Sequence, residues 1–143
     1  MPDRFIRSLG FIKAAAAKAN GELGALDNKL AKAIYLRALA IAKGQYHDQF
    51  PVDVFQTGSG TSTNMNVNEV IASLASQLLE RPVQPNDDVN CSQSSNDVIP
   101  TSIHVSASLA IQQQLMPALK QLQGAIASRD TELVDQIKTG ARI

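Results

Sequence analysis

From residue 97 to residue 127 the chain reads as one long helix with apolar side chains around much of its circumference. Ile99, Ile103, Ala107, Ala110, Leu115, Leu119 and Leu122 supply the apolar positions. A helix of this kind expects neighbours on several sides. Only three shorter helical patterns precede it, too few to cover it. The expected fold class is therefore mainly α, with the long helix either joining an oligomer or packing against helices that this chain does not contain. Pro100 is tolerable in the first turn, whereas Pro117 lies in the interior. There a missing backbone donor predicts a kink. Composition agrees with helices. Aromatic residues are 4% and Trp is absent, while strands enrich aromatic and β-branched residues.

The spacing predicts a first helix over 4–19, with Phe5, Leu9, Ile12, Ala16 and Ala19 on one face and Asn20-Gly21 as its stop. A second begins at the N-cap candidate Asp27 and runs to Lys43-Gly44, burying Leu30, Ile34, Ala38 and Ile41. A third starts within Thr61–Asn64 and ends before Arg81-Pro82, with Val67, Val70, Ile71, Leu74 and Leu78 on its apolar side. Residues 45–60 read as extended chain and loop. Residues 81–97 form a long polar connection, the kind that is usually functional or disordered. Residues 128–143 read as a short helix and a tail.

The 143 residues are 44% hydrophobic, enough for a real core, and 13 basic residues balance 13 acidic ones. That balance gives no footprint for nucleic acid or an anionic membrane surface. No apolar run is long enough to span a bilayer, and "MPDRFIRSLG" has no signal-peptide core. The single Cys91 forms no internal disulfide and suits a reducing compartment. The expected location is cytoplasmic, or mitochondrial if an import peptide lies upstream.

Two polar clusters carry the chemistry. "QTGSGTSTNMNVNE" (56–69) crowds hydroxyls and amides at the start of the third helix. Its glycines permit tight turns. Helix N-termini carry unpaired N–H groups and partial positive charge, which suits a carboxylate or phosphate. Asn64 and Asn68 share one helix face; Asn66 and Glu69 lie on another. For a single cluster the plainer reading is a helix cap. It is also no phosphate loop, lacking the Gly-Lys-Ser/Thr ending. The second cluster, "NDDVNCSQSSND" (86–97), again feeds a helix start. Two such clusters point to a small, polar, anionic ligand held by hydrogen bonds. The other reactive residues are weaker candidates. His47, beside Asp48, reads as a solvent-exposed histidine. His104 lies on the fourth helix about two turns after Asn96, a spacing that lets it approach the pocket. Cys91 has no basic partner in view to make it a nucleophile.

The two stretches, in this order, resemble the fumarase/aspartase superfamily of lyases. "FQTGSGTSTNMNVNEVIA" and "PNDDVNCSQSSNDVIPTSIHVSA" resemble successive signature blocks of the class II fumarases, and "RSLGFIKAAAAKANGELGALD" resembles the family's early helices. The resemblance covers essentially the whole chain. "GSGT" and "SQSSND" are the fumarase forms; aspartases tend to have threonine where Ser95 stands. What the resemblance implies is reversible hydration of fumarate to (S)-malate without metal or organic cofactor. Ser59, Thr61, Ser94, Ser95 and Asn96 would bind substrate, with Asn64 and Asn68 supporting the pocket. Oriented donors would stabilise the aci-carboxylate formed by proton removal.

The family architecture implies an N-terminal helical domain (1–90) followed by the first long helix of a central helical bundle (91–143). It also implies a homotetramer whose sites each draw on three subunits. The chain departs from the pattern. It begins within the family's N-terminal segment. "IKTGARI" replaces the approach to an Arg-Thr-His block, and the loop with the family's catalytic serine would lie beyond residue 143. No catalytic residue is therefore assigned here, and turnover by the chain alone is not expected. An accessory dicarboxylate site would use Asn86 and Asp87, but Gln84 stands where the family has His. The alternative within the class is an aspartase-like ammonia lyase. The alternative from another class is a non-catalytic module for dicarboxylate binding or subunit association.

Overall fold

The computed structural model describes residues 1–56, 60–137 and 140. Its helices are α1 (Asp3–Glu22), α2 (Asn28–Ala42), α3 (Thr61–Leu79), α4 (Ser95–Ala110) and α5 (Met116–Glu132). A short 3₁₀ turn occupies His47–Gln49, and π-type turns occupy Pro85–Val89 and Ile111–Leu115. No strand occurs among the described residues, as the composition led one to expect. Two compact units result, Met1–Ser106 and Ala107–Ile143. The division at 90/91 drawn from the sequence refers to the architecture of a longer lyase. Within this chain, contacts keep residues 91–106 with the first unit, because Cys91, Gln93 and Ser102 all bond to α1 or its partners.

In the first unit α1 and α2 form an antiparallel pair built on small residues. A Cβ on Gly10 would lie 2.6 Å from the Ala42 backbone nitrogen and 2.8 Å from the Ala38 carbonyl oxygen, so only hydrogen fits there. Leu30, Ile34, Ala38 and Ile41 are buried as expected. Asp27 caps α2 as read, its Oδ2 accepting from the Lys29 and Leu30 N–H groups at 3.0 and 3.2 Å. From α3, Val67, Ile71 and Ala75 complete the core, joined by Val83, Val89 and Val98.

Three readings are corrected. First, α1 does not stop at Asn20-Gly21. It runs to Glu22, and Gly24 (φ +74°) closes it while Ala25 and Leu26 N–H groups return to the Asn20 carbonyl. Second, the buried face of α1 is rotated from the expected one. Ala19 is exposed, whereas Ile6, Leu9, Ala14 and Ala17 are buried together with the polar Ser8, Lys13 and Asn20. The apolar count misplaced the face because three of its positions are polar. Third, on α3 Leu78 is 45% exposed, since Glu80 (φ 54°) ends the helix just beyond it.

The second unit is helical through Ile111–Leu115 and α5. Pro117 has no N–H, and where a kink was expected the turn just before it is widened, with Met116 N–H reaching back to the Ile111 carbonyl. The helix continues to Glu132, past the expected end at 127. Every described residue from 111 to 137 is exposed, including Leu115, Leu119, Leu122 and Ile126.

Candidate active site

The two polar clusters meet. Asn64, on the first turn of α3, donates through Nδ2 to Ser95 Oγ at the start of α4 over 2.9 Å. Gly60 precedes α3 with φ +71°, and a Cβ there would sit 3.0–3.1 Å from the Ile99 side chain. The two helix starts are thus in close contact. Beside them opens a cavity of about 580 Å³, lined on its polar side by Gln56, Gly60, Thr63, Ser95 and Asn96. Phe5, Ile99 and Ile103 form part of its apolar wall. That volume lies within the roughly 300–1,000 Å³ of small-molecule sites. No carboxylate side chain lines the cavity among the described residues, and helix N-termini favour anions.

The first cluster also caps its own helix. Gln56 Oε1 accepts from the Thr63 N–H at 3.1 Å, and Gln56 Nε2 donates to Thr63 Oγ1. In the second cluster Ser94 plays that part. Its Oγ accepts from the Asn96 N–H at 3.2 Å, and its carbonyl accepts from Asp97 and Val98. Of the residues implied by resemblance, Ser95 and Asn96 line the cavity. Thr61 is the exposed first residue of α3. Ser94 is exposed and engaged as a cap, outside the cavity lining. Ser59 lies outside the described residues.

Asn86 and Asp87 are exposed on the Pro85–Val89 turn and do not join this cavity. Next to them, Gln84 donates its backbone N–H to Asp88 Oδ2 at 2.7 Å. His104 is exposed on α4 and absent from the lining. His47 is less exposed than the sequence suggested. Its side chain is 25% accessible, and Nδ1 lies 2.9 Å from Asp3 Oδ1. Cys91 is half-buried against the core, with Ser92 Oγ 3.7 Å from its sulfur. No set of three or more His, Cys, Asp or Glu that could hold a metal occurs among the described residues.

Beneath the cavity lies a buried polar network that sequence reasoning missed. Lys13 of α1 is fully buried. Its Nζ donates to Asn90 Oδ1 and Gln93 Oε1, each at 3.0 Å. Asn90 Oδ1 also accepts from Asn64 Nδ2 and Asn68 Nδ2, both at 3.2 Å. Asn64 thus joins Ser95 to Asn90, and Asn68 joins the same oxygen. Burial pulls the Lys13 amine down from its ordinary 10.5 to about 7, since the low-dielectric interior disfavours the ammonium. Two further buried donors tie α1 to the same region: Ser8 Oγ to the Ser102 carbonyl at 3.0 Å, and Asn20 Nδ2 to the Cys91 carbonyl at 2.8 Å. The signal was present. Ile6, Lys13 and Asn20 recur every seven residues, and Lys13 sits four after Leu9, so it belongs to the buried face.

The described residues of this unit are helical, with two polar helix starts beside one cavity. The chain belongs to the lyase family, whose profile matches residues 2–141. Among its relatives is the class II fumarate hydratase of Xylella fastidiosa, 57% identical over 98% of this chain. A second is "Fumarate hydratase class II 2" of Pseudomonas aeruginosa, 52% identical over the same share. The chain spans about 30% of the length of these curated relatives. The crystal structure of class II fumarase from Schistosoma mansoni superposes with a TM-score of 0.96 at 40% identity, covering 99% of this chain and 31% of that one. A fumarate lyase:delta crystallin from Brucella melitensis superposes at 0.89 with 42% identity, covering 98% and 34%.

Proposed function

We propose that this chain forms the N-terminal part of a fumarate hydratase, which reversibly adds water to fumarate to give malate. The observation that carries the reading is the 57% identity to a class II fumarate hydratase across 98% of the chain, including both polar clusters. In this reading the cavity beside α3 and α4 holds one carboxylate end of the substrate. Ser95 and Asn96 supply neutral donors, and the helix N-termini add positive potential without a Lys or Arg. Removal of a proton from the carbon next to a carboxylate builds charge on that carboxylate, and donors already in place stabilise it with little reorganisation. No His, Lys or carboxylate side chain lines the cavity among the described residues. The general base would therefore come from outside this chain. The exposed apolar row Leu115, Leu119, Leu122 and Ile126 supports assembly into an oligomer through that helix.

The test is a full-length hydratase in which residues 2–141 replace the matching segment of the Xylella fastidiosa enzyme. It should consume fumarate and form malate. Ser95→Ala in that protein should lower kcat/KM by about a hundredfold or more, the usual loss of one oriented donor. Release of ammonia from aspartate, with no malate formed, would favour an ammonia lyase instead. A folded chimera with neither activity would sink the reading.

A further inference from the structure

The buried Lys13 has no role in the reading above, and its setting is unusual. It is fully buried, yet the ion pairs among the described residues are Lys18–Glu22, Asp3–His47 and Arg129–Glu132. A buried amine without a carboxylate costs stability, and an apolar side chain of the same volume would avoid that cost. What the amine does provide is direction. We propose that Lys13 is a positioning residue that, through Asn90 and Asn64, fixes the Ser95 hydroxyl as a hydrogen-bond donor toward the cavity. The proposal rests on the reading of Ser95 as a substrate contact.

Lys13 Nζ donates to Asn90 Oδ1, so that end of the Asn90 amide must be the oxygen. Its other end is fixed as the nitrogen, donating to the Gln93 carbonyl at 3.2 Å. An oxygen at Oδ1 requires a donor from Asn64, which presents Nδ2 at 3.2 Å. The same nitrogen carries a second hydrogen, and that one goes to Ser95 Oγ at 2.9 Å. A hydroxyl has one hydrogen and two lone pairs. With a lone pair taken by Asn64, the Ser95 hydrogen is turned away from Asn64, and Ser95 lines the cavity. Lys13 is the strongest of the three donors on Asn90 Oδ1; without it only the Asn64 and Asn68 amides and the Gln93 carbonyl oppose an end-for-end turn of the Asn90 amide, and the turned state gains population. Asn64 can follow and present its oxygen to Ser95. The Ser95 hydrogen then turns inward, and the cavity loses a donor.

The experiment is a double-mutant cycle on kcat/KM in the full-length hydratase carrying residues 2–141. Lys13→Met keeps volume and removes the donor. It should lower kcat/KM about tenfold or more, with the thermal midpoint held or raised. Ser95→Ala should show the larger loss, and Lys13→Met should add nothing to it, because both remove the same donor. Asn64→Leu cuts the relay one bond from Ser95 and should reproduce the Lys13→Met loss. Full activity in Lys13→Met, or losses that multiply with Ser95→Ala, would overturn the proposal. Full activity in Asn64→Leu would overturn it even if Lys13→Met fails to fold. If Ser95→Ala itself is fully active, the Ser95 reading falls and takes this proposal with it. If Ser95→Ala is crippled while Lys13→Met and Asn64→Leu are not, only the positioning role falls.

Discussion

Raising the pH should stabilise this chain, and Lys13 sets the amount. The amine is at 10.5 in the unfolded chain and about 7 in the folded one. Between those values the unfolded state holds a proton that the folded state has lost. Stability therefore rises with pH across that window, because it rises wherever the unfolded state binds more protons. The penalty is complete below about pH 7 and gone above the unfolded value. Each unit of displacement is worth about 1.4 kcal/mol, so the full penalty is on the order of 5 kcal/mol. The two amide oxygens on Nζ favour the ammonium and act against it. From about pH 6 to about pH 9 the gain should be on the order of 3 kcal/mol. Other groups titrate in that range, so the assay is the difference between two proteins. Urea unfolding of the chain and of its Lys13→Met variant is followed at several pH values. The original should gain stability relative to the variant, and the variant should be the more stable of the two at pH 6. Parallel pH profiles would refute the idea that Lys13 is a desolvated amine without a countercharge.

Two further predictions concern the frame around the site. Gly10→Ala should cost about 3 kcal/mol or more, since the added methyl meets backbone atoms of Ala38 and Ala42 that no rotamer change can move; a midpoint unchanged in urea would mean α1 and α2 are not in this close contact. Asp27→Ala should cost about 1 kcal/mol through the lost cap on Lys29 and Leu30, whereas Asp27→Asn should restore most of it, as read by thermal unfolding.

Local chemistry alone determined much of this protein. Asp27 announces the start of α2 because an N-cap needs only its own side chain and the next two amides. Leu30, Ile34, Ala38 and Ile41 announce the face of α2 because helical periodicity is a local property. The start of α3 within Thr61–Asn64 was legible for the same reason, and that of α4 was placed at 97, two residues late. Pro117 announced a disturbed helical turn because a missing N–H is missing in any context. Tertiary structure alone decided how these pieces meet. That Asn64 reaches Ser95, 31 positions away in the chain, follows from the meeting of the two helix starts, where Gly60 also lies against Ile99. Spacing puts Lys13 on the buried face of α1, but that its amine stays there could not be read from the sequence, since a lysine in a helix ordinarily turns its amine to water. Its burial depends on Asn90 and Gln93, 77 and 80 residues further along, being held over α1 by the same core. Likewise the role of Ser94 as a cap and of Ser95 as a cavity residue separates two adjacent, chemically identical side chains. The helix geometry points one along the backbone and the other toward α3, and no property of serine itself distinguishes them.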